Sequence, residues 1–332
     1  GSRFNVARML TVSVVIPARN DGAALGTAVE SVRAQQGVAI SEIAIAVGPS
    51  TDDTKAEANR LAAADPGILV LDNPTGSTPA GLNIAIANTT GDVVVRVDAR
   101  SQLPPDYIQH ALETMNATGA ANVGAIQEAA GQTPTERAIA AAMHSKLGSG
   151  GARYRHGGDL REVETAYLGV FSRKALEEVD GFDESFIRNQ DSELNIRLRN
   201  AGHTVWLDPR MVVEYRPRPS LRALASQYWQ YGWWRAITLR RHPGSMKLRQ
   251  AAVPVAVLAL VASLVVGLAI QPWFLVIPAA YLGSLVVAAA SEPQALNLRE
   301  KATMAAALAT MHVMWGTALI ASTAVHLVRG PK

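Results

Sequence analysis

Apolar and polar positions follow two periodicities along the first hundred residues of the chain. Short runs rich in Val and Ile predict strands, and each is followed by a stretch in which apolar residues recur at helical spacing. Strands are predicted at residues 12–16, 43–47, 68–71 and 93–97, and helices at 24–36, 54–64 and 80–88. Repeated strand–helix units indicate parallel strands joined by right-handed crossovers, and therefore an α/β domain.

The periodicity is weaker between residues 115 and 215. A strand is predicted at 163–172, a helix at 192–201 and a further strand at 204–207. Glycines are frequent between residues 148 and 158, which predicts a mobile segment that either folds over a site or links two elements.

The chain carries no charged residue between positions 251 and 291. Residues 251–270 and 273–290 contain no charged side chain, and each run is long enough to cross a hydrocarbon layer of about 30 Å. Residues 302–328 form another apolar stretch, which predicts either a third span or a buried amphipathic helix. The sequence thus favours an anchor of transmembrane helices on the C-terminal side of the α/β domain.

Basic residues gather immediately before the first apolar run. Arg240, Arg241, Lys247 and Arg249 belong to this group, which is typical of a cytoplasmic segment that faces anionic lipid. We therefore expect a multi-pass protein of the cell's inner (plasma) membrane, with the α/β domain in the cytoplasm and Lys332 outside. The expected boundaries are a tail at 1–10, the α/β domain at 11–215, basic and aromatic interfacial helices at 216–250, and transmembrane helices at 251–329.

The composition removes several classes of function. A net charge of +3 is too small to favour a nucleic-acid partner, and the absence of cysteine excludes disulfides and thiolate metal sites. Membrane lipid is the partner that the basic segment favours.

Polar motifs follow the predicted strands, at the sheet edge where domains of this class bind ligands. Four of them resemble, in order and spacing over about residues 11–235, the family 2 glycosyltransferases with the GT-A fold: 12–21 (Val-Ser-Val-Val-Ile-Pro-Ala-Arg-Asn-Asp), 49–54 (Pro-Ser-Thr-Asp-Asp-Thr), 91–100 (Gly-Asp-Val-Val-Val-Arg-Val-Asp-Ala-Arg) and 181–184 (Gly-Phe-Asp-Glu). Residues 78–83, residues 189–194 and the C-terminal apolar hairpin resemble the succinoglycan-biosynthesis, ExoA-like branch, which builds lipid-linked polysaccharide repeats. The domain at 11–215 is then expected to be a GT-A catalytic domain, Rossmann-like with a mainly parallel sheet.

The resemblance implies a nucleotide-sugar pocket at the carboxyl ends of these strands. Asp52 also has a simpler interpretation, as the N-cap of the helix that follows it. Val47 and Gly48 stand where members of the family usually carry aspartates that bind the base and the ribose, which leaves the nucleotide open. The residues implied in donor binding are Pro17, Arg19, Asn20, Asp21, Asp52, Asn83, Asp98 and Arg100.

Asp98 is the expected ligand of a diphosphate-bound Mg²⁺ or Mn²⁺. The strand that it ends is apolar except for Arg96, and a carboxylate at such a position is seldom surface decoration. Hard cations bind carboxylate and phosphate oxygens together. The family's Asp-x-Asp pattern is incomplete because position 100 is arginine. Arg100 is expected either to bind diphosphate directly or to form a salt bridge with Asp98.

Asp191 matches, by resemblance, the aspartate of the Glu-Asp-x-Glu-Leu region that holds the catalytic base. Gln190 replaces the usual glutamate, so Asp191 is expected to act as the base, with Gln190 and Glu193 in support. The alternative is that Asp191 is a helix N-cap, although Leu194 removes the reciprocal half of a capping box. The loop at 181–184 is expected on the acceptor side.

Five aromatic residues and an arginine lie between residues 227 and 235. They predict an interfacial helix whose aromatic side chains lie at the depth of the lipid headgroups. A loose resemblance to the Gln-x-x-Arg-Trp region of related transferases gives the alternative, in which the arginine binds diphosphate and the aromatics guide a lipid-linked acceptor. The residues concerned are Gln230, Trp233, Trp234 and Arg235.

The expected reaction is a single displacement on a nucleotide sugar, with a UDP-sugar as the expected donor. Asp191 accepts the proton of an acceptor hydroxyl, the oxygen attacks the anomeric carbon, and the configuration inverts. The acceptor is expected to be a lipid-linked or polysaccharide hydroxyl in cell-envelope or exopolysaccharide synthesis. Two alternatives stay open: a polyprenyl-phosphate monosaccharide synthase, and a non-catalytic membrane scaffold or sugar-binding protein.

Overall fold

A computed structural model of the chain describes residues 10–149 and 158–329. Almost all of the predicted tail and most of the glycine-rich segment at 148–158 lie outside the described residues. The chain forms two compact units, one from Gly1–Gln127 and Gly157–Val213 and the other from Glu128–His156 and Glu214–Lys332.

The first unit is organised around a mixed sheet of eight strands in the order β3-β2-β1-β4-β7-β5-β8-β6. The four strands predicted from the N-terminal alternation pair in parallel, β1 with β2 and β4, and β2 with β3. β7 pairs antiparallel with β4 and β5, and β6 pairs antiparallel with β8, so the sheet is mixed. The strands are β1 Val12–Ala18, β2 Ile40–Val47, β3 Ile68–Asp72, β4 Val93–Arg96, β5 Asn122–Ala129, β6 Arg161–Glu162, β7 Tyr167–Ser172 and β8 Val205–Tyr215.

Two strand predictions differ from the structure. Of the strand predicted at 163–172, only Tyr167–Ser172 is a strand, β7; the preceding β6 ends at Glu162, and between them the Thr165 hydroxyl accepts a hydrogen bond from Asn195 (3.0 Å). The strand predicted at 204–207 continues to Tyr215 as β8. The polar Asp208 is accommodated inside it because Thr114 and Arg210 both donate hydrogen bonds to its carboxylate.

Helices cover both faces of this sheet. Alternate residues of β1 point to opposite sides, so Val14 and Ile16 belong to one buried cluster and Val15 to another. Helix α1 buries its apolar face, Leu25, Ala28, Val29 and Val32, as the helical spacing requires. The helices of this unit are α1 Gly22–Arg33, α2 Thr54–Ala64, α3 Thr78–Ala87, α4 Tyr107–Thr118, α7 Arg173–Glu178 and α8 Gln190–Asn200.

The second unit is mainly helical. Its helices are α5 Pro134–His144, α6 Lys146–Ser149, α9 Leu221–Arg241, α10 Leu248–Ala269, α11 Val276–Ala290 and α12 Leu298–Arg329, with a short 3₁₀ helix at Pro272–Leu275. Helix α12 packs against α9 and α5. The crossing with α9 is close at Gly232, where an added Cβ would lie 2.2 Å from the carbonyl oxygen of Trp315. Glycine therefore permits the two backbones to meet.

Within the described residues, three helical segments are long and apolar enough to cross a membrane: Leu248–Ala269, Pro272–Ala290 and Leu298–Val328. They correspond to the apolar runs predicted from the sequence. Val255 and Leu268 on α10 are 64% and 72% exposed, and Val287 on α11 is 66% exposed, so these helices present apolar surface outward. Helix α12 also buries Met304, Leu308 and other residues against its neighbours. These helices mark the chain as a membrane-associated protein.

Candidate functional site

The loops that follow β1 and β2 are held together by Arg19 and Asn20. Asn20 has a positive φ of 55°, and its side-chain oxygen accepts a hydrogen bond from the Thr51 N–H at 2.8 Å. Arg19 Nε donates to the Pro49 carbonyl at 3.2 Å. Pro17 lies inside β1, paired with Ala46. Because these strands are parallel, both loops lie at the same edge of the sheet.

Positions 47 and 48 carry no aspartate, and at Gly48 the reason is steric. An added Cβ at Gly48 would lie 2.8 Å from the Cα of Gly76, in the loop after β3, and 3.4 Å from the Cβ of Arg19. Val47 is 4% exposed within β2. Neither position can present a carboxylate to a nucleobase without moving a loop or opening the core.

Asp52 connects the second loop to the start of α1. Its Oδ2 accepts a hydrogen bond from the Gly22 N–H at 3.0 Å, and its Oδ1 accepts from the Thr54 N–H and hydroxyl at 3.1 and 2.5 Å. The Thr54 hydroxyl, and more weakly the two backbone groups, lower the pKa of Asp52 against the effect of burial. Asp52 therefore accepts hydrogen bonds at the start of α2, as a capping residue would, but the residue at the N-cap position is Asp53.

Arg100 forms a salt bridge with Asp21, not with Asp98. Arg100 Nε donates to Asp21 Oδ1 at 2.5 Å, and Nη2 donates to the Asn20 carbonyl at 3.2 Å. The Arg100 side chain is 69% exposed, whereas that of Asp21 is 12% exposed. The pair links the end of β4 to the loop after β1 and leaves the guanidinium accessible to an anion.

Arg96, at the end of β4, contacts the two carboxylates that the sequence singled out for chemistry. Its Nε and Nη2 donate to Asp98 Oδ1 at 3.1 and 2.9 Å, and its Nη1 donates to Asp191 Oδ1. The Arg96 side chain is 6% exposed, while Asp98 and Asp191 are 36% and 32% exposed. The structure therefore brings together two aspartates from distant parts of the chain around one buried guanidinium.

The charges in this cluster alter the protonation of its members. Burial raises the pKa of Asp191, Arg96 lowers it, and Asp98 raises it, with a net shift above the ordinary value. Burial opposes the charged form of Arg96, but Asp191 and Asp98 raise its pKa and keep it charged. Burial and Asp98 also raise the pKa of Tyr167, which hydrogen-bonds with Ser101 and Gln127.

Tyr167 and Arg96 are site residues that the sequence interpretation did not assign. Arg96 carried a signal, since it is the one charge within an otherwise apolar strand. Tyr167 carried none, because its position depends on β7 and on the positive φ of 44° at Leu168, whose carbonyl accepts the Tyr107 hydroxyl at 2.5 Å.

Helix α8 presents Asp191 from its first turn. The N-cap is Asn189, with a φ of 60°, so Asp191 does not have the capping role considered as its alternative. Glu193 is 1% exposed and accepts hydrogen bonds from Arg197 one turn later at 2.7 to 3.0 Å. Gln190 is 9% exposed. Both supporting residues are thus largely enclosed by the protein.

Asn83 contacts the loop at residues 181–184. Its amide nitrogen donates to the Phe182 carbonyl at 2.8 Å and to Glu184 Oε1 at 3.0 Å, and its oxygen accepts from the Phe182 N–H at 2.9 Å. Gly181 has a positive φ of 64° in the same loop. These contacts make Asn83 a support of residues 181–184, and the donor contact implied for it stays a prediction.

The aromatic residues and arginine considered at 230–235 lie on α9 in the second unit. Arg235 is 8% exposed and donates to the carbonyl and hydroxyl of Ser245 and to Gln250. Trp233 stacks on Trp229 with ring centroids 6.5 Å apart. Trp234 and Gln230 are half-buried on the same helix. Arg235 thus stabilises the segment that leads into α10.

Comparisons with known proteins identify the family and the fold. The sequence profile of Glycosyl transferase family 2 matches residues 13–180. The chain is similar to the succinoglycan biosynthesis protein ExoA of Rhizobium meliloti (strain 1021), with 35% identity over 271 residues and 80% of each chain covered. It is also 26% identical over 208 residues to a dolichyl N-acetyl-alpha-D-glucosaminyl phosphate 3-beta-D-2,3-diacetamido-2,3-dideoxy-beta-D-glucuronosyltransferase of Methanococcus voltae, covering 60% of this chain and 64% of that relative.

Solved structures share the fold. The mannosyltransferase PcManGT from Pyrobaculum calidifontis, in complex with GDP-Man and Mn²⁺, matches with a TM-score of 0.59 and 17% identity over 96% of this chain and 88% of that one. S. aureus TarS 1-349 in complex with UDP-GlcNAc matches with a TM-score of 0.51 and 13% identity over 96% and 93%. The GT-A fold expected from the sequence is confirmed.

Proposed function

The chain belongs to the family 2 glycosyltransferases, and from that membership we propose that it is an inverting, membrane-anchored enzyme which uses a nucleotide sugar. It transfers the sugar to a hydroxyl of a lipid-linked or polysaccharide acceptor. The observation that carries this proposal is the pairing of Asp98 and Asp191 with Arg96. This pairing lies at the same sheet edge as the loops that follow β1 and β2. That edge is where α/β domains bind their ligands.

The loops after β1 and β2 supply the donor pocket. Arg19 and Asn20 lie there with backbone groups of residues 48–52, and Arg100 adds an accessible cation beside them. A planar guanidinium suits the oxygens of a diphosphate. We propose a UDP-sugar as the donor. The two solved structures reported above are in complex with UDP-GlcNAc and GDP-Man, so sugars of both nucleotides are included in the test.

The residues at this edge fit a divalent cation that arrives with the donor. Arg96 engages Oδ1 of Asp98, and Oδ2 has no hydrogen-bond partner within the described parts of the chain. Mg²⁺ is commonly held by one or two carboxylates together with substrate phosphates and water. No group of three or more His, Cys, Asp and Glu side chains among the described residues could hold a metal by itself. Asp98 would therefore hold Mg²⁺ or Mn²⁺ jointly with diphosphate, whose leaving charge the cation would neutralise.

Asp191 performs the proton transfer. Its carboxylate accepts the proton of the acceptor hydroxyl while that oxygen attacks the anomeric carbon and the bond to the diphosphate breaks. Arg100 stabilises negative charge on the departing diphosphate. One displacement inverts the configuration of the sugar, and no covalent glycosyl-enzyme forms.

The helices α10, α11 and α12 anchor the enzyme in the inner membrane, with the catalytic unit in the cytoplasm. The exposed Arg240 and Arg241 end α9 shortly before α10 begins, and Arg249 lies in the first turn of α10. Basic residues beside a span favour the cytoplasmic side. Nucleotide sugars are then available on the side where the proposed donor pocket lies, and a lipid-linked acceptor reaches the enzyme through the bilayer surface.

The proposal is tested with the full chain in membrane vesicles and in detergent. UDP-glucose, UDP-galactose, UDP-N-acetylglucosamine, GDP-mannose and a dTDP-sugar are each supplied with Mn²⁺, with Mg²⁺ or with a chelator, and labelled sugar is followed into lipid and into free sugar. We expect one UDP-sugar to be used and the chelator to lower the rate. If no donor gives either transfer or hydrolysis, the proposal is contradicted.

A further inference from the structure

Arg96 has a different environment from the other arginines at the donor edge. Arg19 and Arg100 are exposed, whereas Arg96 is buried in β4, a strand flanked by β1 and β7. Placing a guanidinium in a protein interior is unfavourable unless it is fully paired. Two carboxylates supply that pairing here, one from the residue after next and one from α8.

The shape of the guanidinium fixes where the two carboxylates can lie. Its five N–H groups point outward in one plane. Nε and Nη2 form the edge that faces Asp98, and Nη1 points to Asp191. The two aspartates would repel one another in a partly buried site, and Arg96 compensates that repulsion. A rigid strand thereby sets the place of a carboxylate that belongs to a helix.

Two tyrosines lie near this arrangement. Tyr107 is fully buried and donates its hydroxyl to the Leu168 carbonyl, and the neighbouring Tyr167 hydrogen-bonds with Ser101 and Gln127. Both rings lie near enough to Arg96 and Asp98 to interact with their charges. Because the Arg96 side chain is 6% exposed and pairs with two carboxylates, it has little freedom to turn towards another partner.

We propose that Arg96 is the positioning residue of the transfer reaction, which holds the Asp191 carboxylate where it can accept the proton of the acceptor hydroxyl. The inference rests on the proposed function, since it assigns Asp191 the role of base. Arg96 touches neither sugar nor acceptor. It acts by keeping Asp191 at a fixed distance from Asp98, and so from the diphosphate end of the donor.

The test compares Arg96→Met and Arg96→Lys with a matched control. Arg210 on β8 also bridges two carboxylates, the buried Asp208 and the exposed Glu113, at 2.7 Å each, and has no part in the proposed site. For each full-length variant, kcat of sugar transfer is measured alongside calorimetry with UDP and Mn²⁺, and folding is checked by thermal unfolding.

We expect Arg96→Met to lower kcat by about 10²-fold, the loss typical of a catalytic group displaced by about 1 Å, with a far smaller change in UDP affinity. Arg96→Lys keeps one positive charge and is expected to recover part of the rate. Arg210→Met is expected to keep the wild-type kcat. A general loss of packing would not produce this separation of kcat from UDP affinity, nor the partial recovery with lysine.

Several results would overturn the inference. These are wild-type kcat in folded Arg96→Met, an equal loss in Arg210→Met, or a loss of UDP affinity as large as the loss of kcat. If Arg96→Met does not fold, Arg96→Lys decides: a lower kcat with wild-type UDP affinity supports the proposal, and a wild-type kcat overturns it. Absence of transfer in the wild-type protein refutes the proposed function itself, which is a distinct outcome.

Discussion

At the ends of β1 and β2 the polar side chains hold loops, whereas at the end of β4 and the start of α8 they hold one another. The side chains of Asn20 and Asp52 accept hydrogen bonds from backbone N–H groups and hydroxyls of neighbouring turns. Asp98 and Asp191 instead share a single buried guanidinium. The loop residues therefore shape a surface, while the residues around Arg96 form a charged cluster with its own internal geometry.

This difference separates binding from turnover. A loop residue can be changed with local consequences, since its partners are backbone groups that water or a neighbouring side chain can also satisfy. A member of the cluster cannot, because its removal leaves a partly buried charge without its partner. We therefore expect substitutions at the loops to change donor affinity or stability, and substitutions at the cluster to change the rate of the chemical step.

The largest effect is expected for Asp191→Asn. Asparagine keeps the shape of the side chain and cannot accept the proton, so kcat should fall by about 10²–10⁴-fold, the range typical of general-base catalysis. The dissociation constant for UDP with Mn²⁺ should stay close to that of wild type. Initial rates of transfer and calorimetry measure the two quantities on the same preparation.

Two outcomes would change the interpretation of Asp191. Loss of UDP binding in Asp191→Asn would show that the residue serves the donor. Retained activity on polyprenyl phosphate would favour a polyprenyl-phosphate monosaccharide synthase, because a phosphate nucleophile needs little help from a base.

The next effect is expected for Asp98→Asn, which tests whether the cluster also meets the metal. Loss of the carboxylate should raise the Mn²⁺ concentration needed for half-maximal rate by at least ~10–100-fold, the cost typical of disturbing even the surroundings of a metal ligand. Titration of the transfer rate with Mn²⁺ measures this. An unchanged Mn²⁺ dependence would remove Asp98 from metal binding.

A smaller effect is expected for Arg100→Met. Its guanidinium is accessible and is proposed to bind diphosphate, so UDP affinity should fall by about 10-fold or somewhat more, the value of one hydrogen bond to a charged group. kcat at saturating donor should fall less. Arg60→Met is the control, since Arg60 is exposed and pairs with Glu57 on α2. Equal losses in both variants would exclude a specific contact.

The smallest effect is expected for Asp52→Asn, and it concerns stability. The pKa of Asp52 is lowered from 3.8, chiefly by the Thr54 hydroxyl, so its contribution is present above the unfolded-state pKa and is lost as pH falls through the lower folded-state pKa. The variant should unfold at a slightly lower temperature at neutral pH, and this difference should vanish in acid. Thermal unfolding as a function of pH measures it. A difference that grows in acid would contradict the assignment.

The four parallel strands β1 to β4 were accessible from the sequence, because apolar runs and helical spacing alternate there without interruption. β8 was underestimated for a physical reason. The predicted strand stops before the polar Asp208, and only the folded protein brings Thr114 and Arg210 to that carboxylate. The antiparallel pairing of β7 with β4 joins segments more than seventy residues apart, which no local pattern reveals.

The candidate site was predictable in its residue types and less so in its pairings. Sequence reasoning considered a salt bridge of Arg100 with its near neighbour Asp98, yet Asp98 pairs with Arg96, and Arg100 reaches Asp21 across the sheet edge. The hydrogen bonds that the Asn83 amide donates to Phe182 and Glu184 were not predicted either. Such contacts depend on how strands are ordered in the sheet, which the spacing of motifs along the chain does not specify.

The glycine at position 232 fixes the position of α9 along α12. Because the α9 backbone lies against the Trp315 carbonyl there, α9 cannot slide along α12 without a clash. The stacked Trp229 and Trp233, within a turn of that point, keep one level relative to α12. If a thinner or thicker bilayer shifts α12, the tryptophan pair shifts by the same amount, and the two helices change depth together.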